Sequence, residues 1–238
     1  MLLKGQFLRS FLALMTLFAI SFAPASAEAT LERYTGTARD QSGAILYQEK
    51  HEVQYQSGKV LRAQTRYLSA DGKPLAELDS DFSANAFLPK YRFRNLITSL
   101  EEGVECCSGD ELEVFHQNKR KKLKYNSSWV SGQGFHYLAK DRLEKVDQNE
   151  KQHFKFLIPS KLDSYNFRLS SAGRDDKNPD YERVLLEIDH WFFRLFAPKI
   201  VATYDIKTRR LMRYEGPSNI ELKKGEIKNV TIEYSYDP

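Results

Sequence analysis

Alternation of polar and apolar side chains dominates the chain from residue 31 onward. Between Val60 and Leu68, the set Val60, Arg62, Gln64, Arg66 and Leu68 alternates with Leu61, Ala63, Thr65 and Tyr67. That is the two-residue period of a strand with one face buried and the other wet. Leu31 to Ala38, Ile45 to Tyr55 and Leu75 to Phe82 share its composition, rich in Tyr, Thr, Val and Leu, residues that suit a pleated surface. Gln41-Ser42-Gly43, Ser57-Gly58 and Asp71-Gly72-Lys73-Pro74 separate these runs with the small polar residues and glycines that hairpins need. The pattern predicts an antiparallel meander. Tyr91 to Leu100 and Glu111 to His116 extend it, with Ser108-Gly109-Asp110 as a turn between them.

The period then changes. Phe135, Leu138, Ala139, Leu143 and Val146 fall at helical spacing, and Lys140, Asp141, Glu144 and Lys145 occupy the other side, so Gly134 to Gln148 reads as one amphipathic helix. Strand patterns return at Phe154 to Ile158, Tyr165 to Leu169, Val184 to Ile188, Ile200 to Asp205, Arg210 to Gly216 and Ile227 to Tyr234. Arg174 to Asp180 reads as a charged, exposed turn. No internal repeat or low-complexity linker interrupts this order, which favours one β-rich domain over residues 28–238.

The amino end follows a different rule. Lys4 and Arg9 precede an almost unbroken apolar run from Phe11 to Phe22, and Ala25-Ser26-Ala27 follows as a small-x-small cleavage site. This is the pattern of a secretory signal peptide over residues 1–27. The run of about a dozen residues is shorter than the roughly 20 that span a bilayer, and no second long apolar stretch follows. The expectation is a mature periplasmic chain starting near Glu28, with no transmembrane segment.

Removing 27 residues from 238 leaves 211, and removing two basic residues takes the net charge from +4 to +2. A balance so near neutral gives no bulk electrostatic case for nucleic acid. The cysteines are adjacent, Cys106-Cys107. Free or oxidisable thiols, a vicinal disulfide, an intermolecular bridge and a metal or redox site all remain open, although redox motifs usually space the pair as C-x-x-C.

Two segments carry candidate chemistry. His190 to Phe196 holds Trp191, Phe192, Phe193 and Phe196, enough aromatic surface for the wall of an apolar cavity or for an ordinary core element. Phe135 and Leu138 on the helix pose the same choice. Lys119-Arg120-Lys121-Lys122-Leu123-Lys124 concentrates five basic residues in six. It suits an anionic surface or an acidic partner, or a sheet edge blunted against aggregation. The histidines, His51, His116, His136, His153 and His190, show no i, i+4 pair and no H-E-x-x-H. His51 and Glu52 are neighbours that face opposite sides of a strand. There is no G-x-S-x-G elbow, and Asp175, Asp176 and Asp180 lack the full calcium-loop pattern. No metal, cofactor or catalytic motif is expected.

The order of elements, the stretch Phe154-Lys155-Phe156-Leu157-Ile158-Pro159-Ser160, and Tyr204-Asp205-Ile206-Lys207-Thr208-Arg209-Arg210-Leu211 followed by Tyr214-Glu215-Gly216 together resemble uncharacterised secreted proteins of Gram-negative bacteria. More distantly they resemble the Lol-type half-barrel of periplasmic lipoprotein carriers and receptors. The resemblance implies a mainly β (α+β) fold, a curved antiparallel β-sheet or half-barrel with one or two helices packed on the concave face. It also implies a non-enzymatic carrier for a lipid or other apolar ligand; in that reading the aromatic segment and the helix named above supply the walls, Phe135, Leu138, Trp191, Phe192, Phe193 and Phe196. The alternative is an envelope assembly factor that docks an envelope protein or anionic surface through Lys119, Arg120, Lys121, Lys122 and Lys124. A hydrolase of envelope polymers has only location in its favour.

Overall fold

The computed structural model describes residues 29–108, 110–190, 192 and 199–238, the first span with side chains through Glu105. Fifteen strands form one sheet. Eight come before the helix: β1 (Ala29–Arg39), β2 (Ile45–Gln56), β3 (Lys59–Leu68), β4 (Pro74–Asp81), β5 (Lys90–Asn95), β6 (Leu100–Ser108), β7 (Glu111–His116) and β8 (Lys119–Lys124). After the short β9 (Trp129–Ser131) comes α1 (Gly134–Asp147). Then follow β10 (Gln152–Ile158), β11 (Asp163–Arg174), β12 (Tyr181–Ile188), β13 (Ile200–Asp205), β14 (Leu211–Pro217) and β15 (Asn229–Tyr236).

The spatial order is β8-β7-β6-β5-β4-β3-β2-β1-β15-β14-β13-β12-β11-β10-β9. Two meanders therefore meet where the first strand pairs with the last, Tyr34 opposite Tyr236 and Arg39 opposite Thr231. The sheet is open and curved rather than closed into a barrel, as the half-barrel reading expects. It is mixed rather than wholly antiparallel, because β9 pairs parallel with β10. Parallel neighbours need a crossover, and α1 supplies it by connecting the two.

Local chemistry explains most of these elements. On β3 the side chains of Ala63, Thr65 and Tyr67 are buried while Arg62 and Gln64 are exposed, the face assignment that the alternation requires; the start of the strand departs from it, because the register shifts between Gln54 and Tyr55 of β2 and Val60 is buried while Leu61 is only half-buried. Ser57 and Gly58 both have positive φ, 51° and 73°, the handedness that matches a two-residue turn to twisted strands. The run expected from Tyr91 to Leu100 instead breaks into β5 and the start of β6. Asn95 makes the break: its Oδ1 accepts from the backbone N–H of Ile97 and Thr98, each at 3.0 Å. An Asn side chain thus does the turn-forming work usually assigned to Gly or Pro.

The inner, concave face carries the core. Tyr47, Tyr67, Leu78, Tyr91, Phe93, Val104, Leu112, Val114 and Ile232 pack together, and Leu88, Leu157 and Ile220 from other segments join them. A second cluster joins Leu138, Ala139, Leu143 and Val146 of α1 to Phe154, Leu169, Val184, Leu186, Ala202 and Tyr204. The concavity in front of β2–β5 is thus filled by the protein's own side chains. Among the described residues, no helix is long and apolar enough to cross a membrane.

Candidate functional site

A buried polar chain crosses the middle of the inner face. Glu49 and His51 sit two apart on β2 and so share a face, and both are buried. Ser80 Oγ donates to Gln133 Oε1 (2.8 Å), and Gln133 Nε2 donates to Thr65 Oγ1 (2.9 Å). The Thr65 hydroxyl proton is then free to reach His51 Nδ1 (2.9 Å), which leaves His51 Nε2 to donate to Glu49 Oε2 (3.1 Å). Tyr234 OH donates to the same oxygen at 3.1 Å. Tyr34 stacks on His51 with 4.3 Å between ring centres.

Burial, reinforced by nearby Glu49, pushes the Tyr34, Tyr67 and Tyr234 phenols above their ordinary range, so they remain donors. Gly36 makes room for the carboxylate: a Cβ there would lie 3.1 Å from Glu49 Oε2 and 2.7 Å from the Tyr234 ring. Hydroxyl, imidazole and carboxylate stand in the order of a hydrolytic triad. Thr65, however, is 0% exposed and already accepts from Gln133. No substrate carbonyl reaches it in this arrangement. The chain pins the residue before α1 to β3 and β4.

The apolar site lies at one end of the second meander. Phe154 and Phe156 alternate on β10, facing Phe167 and Tyr165 of β11 by register. Phe135 comes down from the first turn of α1. The Phe156–Phe167 ring centres are 5.6 Å apart, and Phe135–Phe156 are 6.4 Å apart in an edge-to-face arrangement, a geometry that aromatic pairs favour. Exposure rises along this row. Phe154 is 8% exposed, Phe135, Phe156 and Phe167 are partly buried, and Tyr165 is 44% exposed. Phe167 pairs with Ile188, the last residue of β12, and Asp189 N–H donates to Asn166 C=O at 2.8 Å. The connection from β12 to β13 therefore leaves the sheet beside these rings.

Of the expected wall residues, Phe135 belongs to this half-open group and Leu138, 1% exposed, to the core behind it. Phe192, on the β12–β13 connection, is 46% exposed. Trp191, Phe193 and Phe196 lie outside the described residues. The backbones of Cys106 and Cys107 run in β6, and the state of their thiols also lies outside the described residues.

The basic run forms the edge strand β8, and acids meet much of it. Arg120 pairs with Glu113 (2.6 Å), Lys122 with Glu111 (3.2 Å) and Lys121 with Asp163 (3.5 Å). Lys119 and Lys124 are exposed. Arg120 and Arg92 also cover the Phe115 ring, each 5.1 Å from its centre, so the convex face buries one aromatic under two guanidiniums. The Arg174-to-Asp180 segment is an exposed turn, as its charge suggests, after Arg174 ends β11; the exception is Asp175, 9% exposed and held by Arg213 at 3.0 Å.

No family model and no curated protein matches this chain. Solved structures do. A β-barrel-like protein of the domain of unknown function DUF1849, from Brucella abortus, superposes with a TM-score of 0.50 at 8% identity, over 89% of this chain and 97% of that one. The chain shares that fold. An outer membrane lipoprotein-sorting domain from Vibrio parahaemolyticus aligns over 88% of this chain and 83% of its own at 9% identity, with a TM-score of 0.27. A DUF1329 protein from Desulfovibrio piger aligns over 89% and 85% at 13% identity, with a TM-score of 0.20. At those scores neither of the last two bears on fold or function.

Proposed function

We propose that the mature chain is an extracytoplasmic binding protein that holds the apolar part of an amphipathic ligand at the Phe135–Phe156–Phe167 mouth. One observation carries this reading. Three phenylalanines and Tyr165 stay partly open at the rim of an otherwise filled concavity. Grouped exposed aromatics mark binding surfaces, whereas singly scattered ones need no explanation. The amino-terminal signal pattern supports a location outside the cytoplasm. The filled concavity limits what the site takes: an acyl chain inserts its end among the rings and leaves its head in water.

Each buried methylene contributes about 0.8 kcal/mol before ordering costs, so six methylenes supply roughly 5 kcal/mol. Titration with a dansyl-labelled medium-chain fatty acid tests this. Saturable binding to the wild-type chain, weakened about tenfold or more by Phe156→Ser with folding intact, is the expected result. Undiminished binding to Phe156→Ser overturns the site.

A further inference from the structure

The two ends of the sheet are built differently. β9 is three residues long and pairs parallel with β10, so it offers little edge. β8 runs for six residues, keeps an unbroken register with β7 from Glu111 opposite Lys124 to His116 opposite Lys119, and contains neither Pro nor a bulge. Proteins blunt an edge with a short strand, a bulge, Pro or charge. At β8 only charge is present.

The register shows which backbone groups β8 leaves over. Antiparallel partners alternate between pairs that exchange hydrogen bonds and pairs that do not. Tyr125 N–H donates to Asp110 C=O at 2.6 Å, and on the other side of β7 Gln117 N–H donates to Glu101 C=O at 2.6 Å. Counting back from either bond puts Lys119, Lys121 and Leu123 at the bonded positions with β7. The N–H and C=O groups of Arg120, Lys122 and Lys124 therefore point away from the sheet, and no strand or loop bonds them among the described residues.

The side chains select what can add there. Leu112 and Val114 of β7 belong to the core, so Leu123 and Lys121 opposite them lie on the inner face, and Arg120, Lys122 and Lys124 lie on the outer one. Glu113, Glu111 and Asp163 engage Arg120, Lys122 and Lys121 in exposed pairs, which are weak. Lys119 and Lys124 pair with no carboxylate among the described residues. A second copy of β8, added antiparallel about Lys122, would set Lys122 against Lys122 and Arg120 against Lys124. Like charges directly opposite disfavour a pair. A strand with acids at alternate positions meets cations instead, and its intervening side chains fall beside half-buried Leu123.

We propose that the β8 edge is a strand-addition site for an extended acidic segment of another protein. The backbone of Arg120, Lys122 and Lys124 supplies the hydrogen bonds, and their side chains select the acids. The site stands independently of the phenylalanine mouth. The test is fluorescence anisotropy of the full mature chain with a labelled peptide, Thr-Glu-Val-Glu-Val-Glu-Thr. One control peptide carries Lys in place of Glu. Two more carry N-methyl groups on alternate residues, one set in each, so that one of them blocks the edge that would pair.

The expected result is saturable binding of the acidic peptide that weakens with added salt, no binding of the basic one, and a loss of about tenfold or more with one of the two N-methylated peptides. Lys122→Pro removes a single outward N–H and leaves the bonds to β7 whole, a place where an edge strand tolerates Pro. It should lower affinity several-fold more than Lys122→Gln does. Should Lys122→Pro fail to fold, the N-methylated peptides report the same hydrogen bonds on the wild-type chain. No saturable binding of the acidic peptide would overturn the proposal. So would full affinity of both N-methylated peptides, because the attraction would then be one of charge alone.

Discussion

Two buried threonines give the polar chain its sharpest test. Thr65 on β3 is 0% exposed and Thr203 on β13 is 1% exposed. Val has the same shape as Thr, so Thr→Val leaves packing nearly intact and removes only the hydroxyl. At Thr65 that hydroxyl accepts from Gln133 and donates to His51 (2.9 Å each). Its loss strands a buried amide donor and a buried ring nitrogen, at about 1–3 kcal/mol each. At Thr203 the Oγ1 has no partner among the described residues, so nothing is stranded. Thr65→Val should therefore destabilise by about 2–6 kcal/mol. At roughly 2–4 °C per kcal/mol for a domain of this size, the melting point should fall by about 4–24 °C. Thr203→Val should melt within about 2 °C of the wild type or above it. Thermal melts followed by circular dichroism, with urea titrations to confirm unchanged m-values, measure both. Equal losses at the two sites would refute the argument, since shape alone would then account for them.

Other consequences follow from the same geometry. Burial, then Lys140 and His51, lowers His136 from its ordinary 6.5 to about 3, so between those values the unfolded chain binds a proton that the native chain refuses. The stability contributed by neutral His136 is complete above pH 6.5 and is lost as pH falls toward 3. His136→Phe, which keeps a ring on Tyr204, should gain melting temperature relative to the wild type as pH drops from about 6.5 to 4; a constant difference across that range contradicts this. Leu138→Ala should cost about 2–5 kcal/mol through the cavity it opens, while Phe135→Ala should cost less stability and weaken dansyl-fatty-acid binding more; reversed rankings would exchange their roles. Replacing Lys119, Arg120, Lys121 and Lys122 by Gln should change stability by no more than about 1 kcal/mol per pair but promote concentration-dependent association through the bared β8 edge, as light scattering would show.

What could be read from the sequence follows from how local each cause is. The β3 alternation fixed its buried face because one strand's pattern needs no partner to be legible. The α1 face was legible for the same reason, and Leu138, Ala139, Leu143 and Val146 all lie in the core. β6 escaped notice because Glu101, Glu102, Gly103 and Glu105 give it little apolar alternation. Its neighbours hold it instead, with Arg92 pairing to Glu101 and Glu105 at 2.5 and 2.9 Å. β9 is three residues long, and only the crossover through α1 makes it a strand.

The polar chain was half visible. Glu49 and His51 stand at i, i+2 and must share a face, whereas the adjacent pair His51–Glu52 draws the eye and cannot. Thr65, Ser80 and Gln133 join them only through the tertiary fold. The phenylalanine mouth was visible as separate residues, Phe135 on a helix and Phe154-Lys155-Phe156 on a strand. Their meeting depends on α1 folding back over β10 and β11.

Whether the phenylalanine mouth holds a ligand separates a binding site from an ordinary core. Native mass spectrometry of the mature chain purified from a bacterial periplasm, followed by solvent extraction, tests this most directly. A reproducible extra mass that extracts as an amphiphile, and is lost in Phe156→Ser, is expected of a binding mouth. A clean apo mass that takes up neither fatty acid nor phospholipid would contradict it and return the phenylalanine cluster to the core.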